Sequence, residues 1–179
     1  MAQMTITEAL AEIKTIGKRI TAKRAYVTQY LFRVESMKDP LEKEGGSAKA
    51  IKNEFQAITD LEKRIVELRR GIQVANEDTI LEIEGVKQSI ADWLVWRRDV
   101  APVRSQFLNM LSNSLRNGRD QAKRQGSSLV SIGSTAEKPT DIIVNINEAE
   151  LAAELEKLTN ILGQLDGLLS LKNATIMID

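Results

Sequence analysis

The sequence predicts a mainly α protein: two long antiparallel helical hairpins forming a four-helix bundle or coiled coil, with short β-strands at one end and a small β-hairpin insertion. Three observations predict it. Apolar residues recur in alternating steps of four and three along three stretches, the spacing of a helix–helix seam. Aromatic residues are 4% of the chain and apolar residues 42%, so Leu, Ile, Val and Ala must fill the interior, which suits helices better than a sandwich or barrel. Capping signatures and Gly or Pro breaks then divide the seams into separate helices.

In chain order, Thr5-Ile6-Thr7-Glu8 reads as a capping box, with the Thr5 hydroxyl and the Glu8 carboxylate each satisfying a first-turn amide. The seam that follows is Ile6, Leu10, Ile13, Gly17, Ile20, Arg24, Val27, Leu31 and Val34. Gly17 reads as a place of close helix approach. Arg24 reads as a snorkelling side chain, with a charged contact to a partner as the alternative. Met37 to Ser47 is a loop, because Pro40 blocks a helix and Gly45-Gly46 breaks the chain. Ser47 is placed to cap the second helix, whose seam is Ile51, Phe55, Ile58, Leu61 or Glu62, Ile65, Leu68 and Ile72. Two helices of similar length and a short connection predict a hairpin roughly 45 Å long.

Asn76 to Asp99 links the two halves. Thr79 to Ile83 is rich in β-branched residues and reads as a strand, Gly85 as a turn, and Ser89 with Asp92 as a second cap. The third helix carries Ile90, Trp93, Leu94, Trp96, Val100, Val103, Phe107, Met110, Leu111 and Leu115, with Pro102 inside the pattern and expected to kink or restart it. Gly126 to Asn147 changes character. Leu129 to Ile132 and Ile142 to Ile146 read as the strands of a β-hairpin within 128–146. Asn147 caps a last helix with an unbroken seam of Leu151, Leu155, Leu158, Leu162, Leu165 and Leu169, and Asn173 to Asp179 closes the chain as a strand. The two hydroxyl caps and the two Asn…Thr-Ile endings repeat, so residues 1–84 and 85–179 read as similar units packed as one domain, with Thr79 to Ile83 beside Thr175 to Ile178.

The order of short motifs resembles a family of uncharacterised bacterial helical proteins, some called septicolysin-like. The matching residues are Thr7-Glu8-Ala9-Leu10, Lys18-Arg19-Ile20, Asn76, Thr79, Gly85, Ser89-Ile90, Arg97-Arg98-Asp99, Ile143-Val144-Asn145-Ile146, Leu165-Asp166 and Asn173. Ala174, the 126–140 loop and the Trp93/Trp96 pair depart from the pattern. The resemblance implies a mainly helical protein with small strands. It implies no catalytic residues, and leaves a membrane-active or protein-binding module as one functional reading.

Composition removes several chemistries. There is no Cys and no His, so disulfides, thiolate or imidazole metal sites and His-dependent triads are out. The start MAQMTITEAL has no basic segment followed by an apolar run, so no signal peptide is read there, and no apolar stretch reaches the ~20 residues of a spanning helix. A cytoplasmic or particle-assembled location is expected. Glu77, Asp78, Glu82 and Glu84 cluster near the middle strand but lack the spacing of a calcium loop; a solvated helix end explains them, and no metal or cofactor is expected.

Net charge is zero but unevenly placed. Residues 97–124 hold Arg97, Arg98, Arg104, Arg116, Arg119, Lys123 and Arg124 against Asp99 and Asp120, while residues 137–179 are acidic. No aromatic interleaves Arg116 to Arg124, so salt bridges to the acidic last helix are favoured over nucleic acid. Trp93 and Trp96 lie three apart on one face, either in the core or at a subunit contact, with membrane anchoring as a third reading. The expected function is a non-enzymatic, self-associating helical scaffold, with a phage or prophage-type particle as its setting. Its partners are other copies or other assembly subunits, through Trp93, Trp96, Arg97, Arg98, Arg116, Arg119, Lys123 and Arg124.

Overall fold

The computed structural model describes residues 3–131, 135–136 and 138–178. It is mainly α, 71% helical, with a few short strands. The backbone divides into two compact units, one of Met1–Thr79 with Ser170–Asp179 and one of Ile80–Leu169.

The first unit contains β1 (Met4–Thr5), α1 (Ile6–Gln29), a 3₁₀ turn at Glu42–Glu44 and α2 (Ser47–Asp78). The end of α5 (Glu148–Thr175) and β6 (Met177–Ile178) complete it. The capping box at Thr5 forms as expected, with Glu8 N donating to Thr5 Oγ1 at 3.2 Å and Thr5 N donating to Glu8 Oε2 at 2.7 Å. Those bonds hold the Glu8 carboxyl below its ordinary value. Helices α1 and α2 run antiparallel, cross-linked by Lys23–Glu54 at 2.8 Å and Arg64–Glu12 at 2.9 Å.

The inward row of α1 is Ile6, Ala9, Ile13, Ile16 and Ile20, packed on Ile58, Leu61, Ile65, Leu68 and Ile72 of α2. Up to Ile20 the expected row differs at two places, Leu10 and Gly17. Residues 9 and 10, like 16 and 17, straddle the contact line, and small, fully buried Ala9 takes the close approach. Gly17 is therefore not a close-contact glycine; a Cβ there would meet nothing within 4 Å. Arg24 is likewise off the seam and pairs with Glu62 at 3.3 Å on an exposed flank.

α1 stops at Gln29, short of the expected Val34. The pairing of residue 23 with 54 sets residue 30 level with Ser47, where α2 begins, so beyond Tyr30 the seam has no partner to pack on. Leu31, Phe32, Val34 and Met37 are left exposed at the tip of the hairpin, Phe32 at 86%. Ser47 is not the helix cap. Gly46 (φ 91°) holds that position, and Ser47 is the first helical residue. Asp39 supplies the cap from outside the helix, accepting from Ser47 N at 2.9 Å, Ser47 Oγ at 2.5 Å and Leu41 N at 2.8 Å. The hydrogen bonds from Ser47 and Leu41 hold the Asp39 carboxyl below its ordinary value.

The second unit opens with β2 (Ile80–Ile83) and β3 (Val86–Ser89), an antiparallel hairpin in register Ile80↔Ser89 and Ile83↔Val86. Glu84 (φ 50°) and Gly85 (φ 76°) form its two-residue turn, both left-handed as a type I′ turn requires. Ser89 then caps α3 (Ile90–Val95) through Asp92 N at 3.0 Å. A five-residue π turn, Trp96–Val100, leads into α4 (Ala101–Arg124). Pro102, in the first turn of α4, has no N–H to continue the α pattern. β4 (Leu129–Ser131) and β5 (Ile142–Val144) precede α5, whose first turn is capped by Asn147 Oδ1 accepting from Ala149 N at 3.0 Å. Ala101 and Leu108 of α4 pack on Leu151 and Leu158 of α5, flanked by Leu111, Leu115, Leu155 and Leu162.

Two expectations for the strands fail. β4 and β5 are parallel, so 128–146 is not a hairpin. Asp141 binds Ser128 N at 2.9 Å and Lys138 N at 2.9 Å, and Ile142 N donates to Ser128 O at 2.9 Å. Both strands are thereby fixed at the same starting end and must run the same way. The Ile132 end of the expected first strand lies outside the described residues. The Thr79 to Ile83 strand does not lie beside Thr175 to Ile178 either. β2 pairs with β3, and β6 pairs with β1 in register Met4↔Ile178 and Thr5↔Met177.

These two pairings are counterparts. In each, a strand after a helix runs antiparallel to a strand that ends in a hydroxyl cap. Thr5 opposite Met177 matches Ser89 opposite Ile80. Ile6 and Ile90, the residues after each cap, are fully buried, and Ile178 and Leu81 are buried. This register aligns Asn76 with Asn173, each four residues before its exposed strand residue, and sets Thr79 against Ile176 rather than Thr against Thr.

Candidate interaction site

The residues expected to contact partners lie on the α3–π–α4 run, and the structure separates them. Trp93 is 3% exposed, its indole Nε1 donating to Leu81 O at 3.4 Å. Trp93 is thus a core residue, which corrects its assignment to a subunit contact. Burial of the flat ring under the β2 strand explains it. Trp96 is half-buried and meets Trp93 edge-on, ring centroids 5.5 Å apart. Beside it Arg104, Glu154, Lys157 and Ile161 line a hollow of only 50 Å³.

Most of the basic block is spent within the unit. Arg97 pairs with Asp166 at 2.7 Å, Arg104 with Glu154 and Arg119 with Glu148. The acidic last helix thus answers the basic α4, as the charge pattern anticipates. Arg98 pairs with Asp99 of its own turn at 2.7 Å, and its hydrogen bond holds the Asp99 carboxyl below its ordinary value. Arg116 donates to Asn113 Oδ1 at 3.3 Å. Lys123 and Arg124 are exposed, with Lys123 beside Ser127 and Ser128 on the rim of a shallow hollow. Among the described residues no three carboxylates are grouped to hold a metal ion.

What sequence reading missed is that α4 carries two seams. The inner one, Ala101, Arg104, Leu108, Leu111, Leu115 and Ala122, faces α5 or is buried. The outer one is Val100, Val103, Phe107 and Met110, in steps of three, four and three, and every member is exposed. The signal was present in the sequence. The Ala101, Leu108, Leu115, Ala122 repeat of seven matches the seven-residue repeat Leu151, Leu158, Leu165, so the remaining apolar positions had to lie elsewhere on the helix.

Fold and surface therefore define a helical-hairpin protein with strand-capped helix starts and an apolar outer ridge. No protein-family model and no characterised protein matches the chain. Over 99% of its length it is similar to the whole of a crystal structure of a functionally unknown conserved protein from Corynebacterium diphtheriae, at 20% identity and a TM-score of 0.55. That likeness shows the fold.

Proposed function

We propose that the protein is a non-enzymatic, self-associating helical scaffold, a subunit of an assembly such as a phage or prophage-type particle. The outer seam of α4 carries the reading. Four large apolar side chains spaced as a helix–helix seam form a contiguous ridge, which a helix with no further partner does not need. Gln106 and Asn113 flank the ridge without charge, and the charged neighbours Asp99 and Arg104 are already matched by Arg98 and Glu154. Two identical ridges can therefore meet without like-charge repulsion.

The test is mass in solution, by light scattering behind size exclusion, in low and high salt. An apolar seam predicts an oligomer that survives high salt, and Phe107→Glu lowers its mass. A monomer at all concentrations sinks the reading. The competing reading, a membrane-active module of septicolysin-like type, draws on the exposed Leu31, Phe32, Val34 and Met37. No helix among the described residues is long and apolar enough to cross a membrane. Leakage of dye-loaded vesicles at protein concentrations that give no oligomer would favour it.

A further inference from the structure

A single step of five residues decides which face of α4 meets α5. The inward row of α3 is Ile90 and Trp93, and half-buried Trp96 continues it. Five residues further on comes Ala101, and from there the row runs in sevens through Leu108 and Leu115. The π turn at Trp96–Val100 supplies that step, because Ala101 N donates to Trp96 O, one residue beyond the reach of an α bond. The same row has a second continuation. A step of four from Trp96 gives Val100, and steps of three, four and three lead through Val103, Phe107 and Met110. A step of five from Met110 then rejoins Leu115. Both rows need one extra residue; they differ in whether it falls before Val100 or after Met110. Between those points the rows lie one residue apart, about 100° around the helix. The second row is the exposed ridge of α4, so the ridge is the direct extension of the α3 core.

We propose that Pro102 fixes the position of the π turn, and so selects the row that packs on α5 and turns the Val100–Met110 ridge outward. Apolar content does not make that choice. The observed row puts Ala101, Arg104, Leu108 and Leu111 toward α5, with the Arg104 charge answered by Glu154. The alternative would put Val100, Val103, Phe107 and Met110 there, all of them apolar. Backbone chemistry decides instead. With the π turn at Trp96–Val100, Pro102 falls in the first turn of α4, where its missing N–H and fixed φ are tolerated. With the extra residue moved past Met110, Ile90 to Met110 would be one unbroken helix. Pro102 would stand in its interior, its ring against the Arg98 carbonyl and one hydrogen bond missing. Without proline that penalty disappears, and burial of the apolar row draws it inward. Pro102 is thus a positioning residue that acts through the helix register. The choice is made within one chain and does not depend on whether copies associate.

The chain has no cysteine, so one introduced thiol reports one position. Leu108→Cys, Leu115→Cys and Val103→Cys are each made in the full chain, with Pro102 intact and with Pro102→Ala, and their labelling by a maleimide is timed. Leu108 and Leu115 lie off the ridge and should both label slowly while Pro102 is present. Pro102→Ala should speed Leu108→Cys by about tenfold or more, because the side chain then points away from α5. Leu115→Cys, common to both rows, should stay slow. Val103→Cys should be slow in Pro102→Ala. Deleting Arg98 from Pro102→Ala takes out the extra residue, makes Trp96 to Ala101 an ordinary α step, and should return Leu108→Cys to its slow rate. Leu108→Cys that stays slow in Pro102→Ala overturns the proposal. So do Leu108→Cys and Val103→Cys that are both fast, which means fraying, and an Arg98 deletion that rescues nothing. Loss of helix by circular dichroism in Pro102→Ala also overturns it, since a second packed row is required. If copies join through the ridge, Pro102→Ala lowers their mass as Phe107→Glu does. A chain that is monomeric throughout removes the scaffold reading, and the thiol rates still decide this one.

Discussion

Truncating Leu165 to Ala tests the packing at a fully buried position. Leu165 has no exposed surface, although its neighbours Gln164 and Asp166 reach outward to Glu84 and Arg97. The substitution removes three carbons from a closed site. At ~0.8 kcal/mol per buried methylene the transfer loss is about 2.4 kcal/mol, and the cavity raises it to about 3–4 kcal/mol. For a chain of 179 residues, each kcal/mol moves the midpoint by about 2–4 °C, so a fall of about 6–16 °C is expected. Leu171→Ala is the control. It removes the same atoms from the same helix at a side chain 58% exposed, and should stay within about 1 kcal/mol. Thermal melts followed at 222 nm, with calorimetry for the enthalpy, measure both. Equal losses in the two variants would refute the assignment of the leucine seam as the buried face of α5.

Two glycines should respond in opposite directions. Gly17→Ala adds a methyl in open space within a helix and should stabilise by about 0.5–1 kcal/mol, whereas Gly85→Ala forces an L residue to φ 76° and should cost about 1–2 kcal/mol. Urea midpoints decide it; a destabilised Gly17→Ala would restore the close-contact reading. Acid should loosen the helix starts of the first unit. Glu8 and Asp39 have folded-state pKa values lowered by their hydrogen bonds, so their contribution is present at neutral pH and is lost as pH falls below about 4. NMR titration of Ser47→Ala should show the Asp39 carboxyl moving back up; an unmoved value would mean Ser47 is not the cause.

Periodicity carried the helices and their order because a seam in steps of four and three has one physical reading. The Leu151 to Leu169 row illustrates this: one residue type on one face leaves no ambiguity. The α1 row was less legible, since Ala9 and Leu10 compete for one inward position and only the partner helix selects the smaller. Strand pairing was legible least. Thr79 to Ile83 looks like a strand, but Val86-Lys87-Gln88-Ser89 has too little alternation to mark itself as its partner. The parallel run of β4 and β5 depends on one carboxylate, Asp141, gripping backbone 13 residues away. The exposed ridge through Phe107 is no more legible, because it is defined by which positions α5 leaves uncovered and not by residue type.

The pairing of β1 with β6 has a consequence for the order in which the protein forms. Met4 and Ile178 lie across one ladder, 174 residues apart in sequence, whereas Ile83 and Val86 meet across the two-residue Glu84-Gly85 turn. The β2–β3 ladder is a local contact that closes early, while the β1–β6 ladder carries the loop-closure cost of nearly the whole intervening chain. Ile178 is part of the core of the first unit, so the α1–α2 hairpin, although first in sequence, is completed only when the far strand arrives.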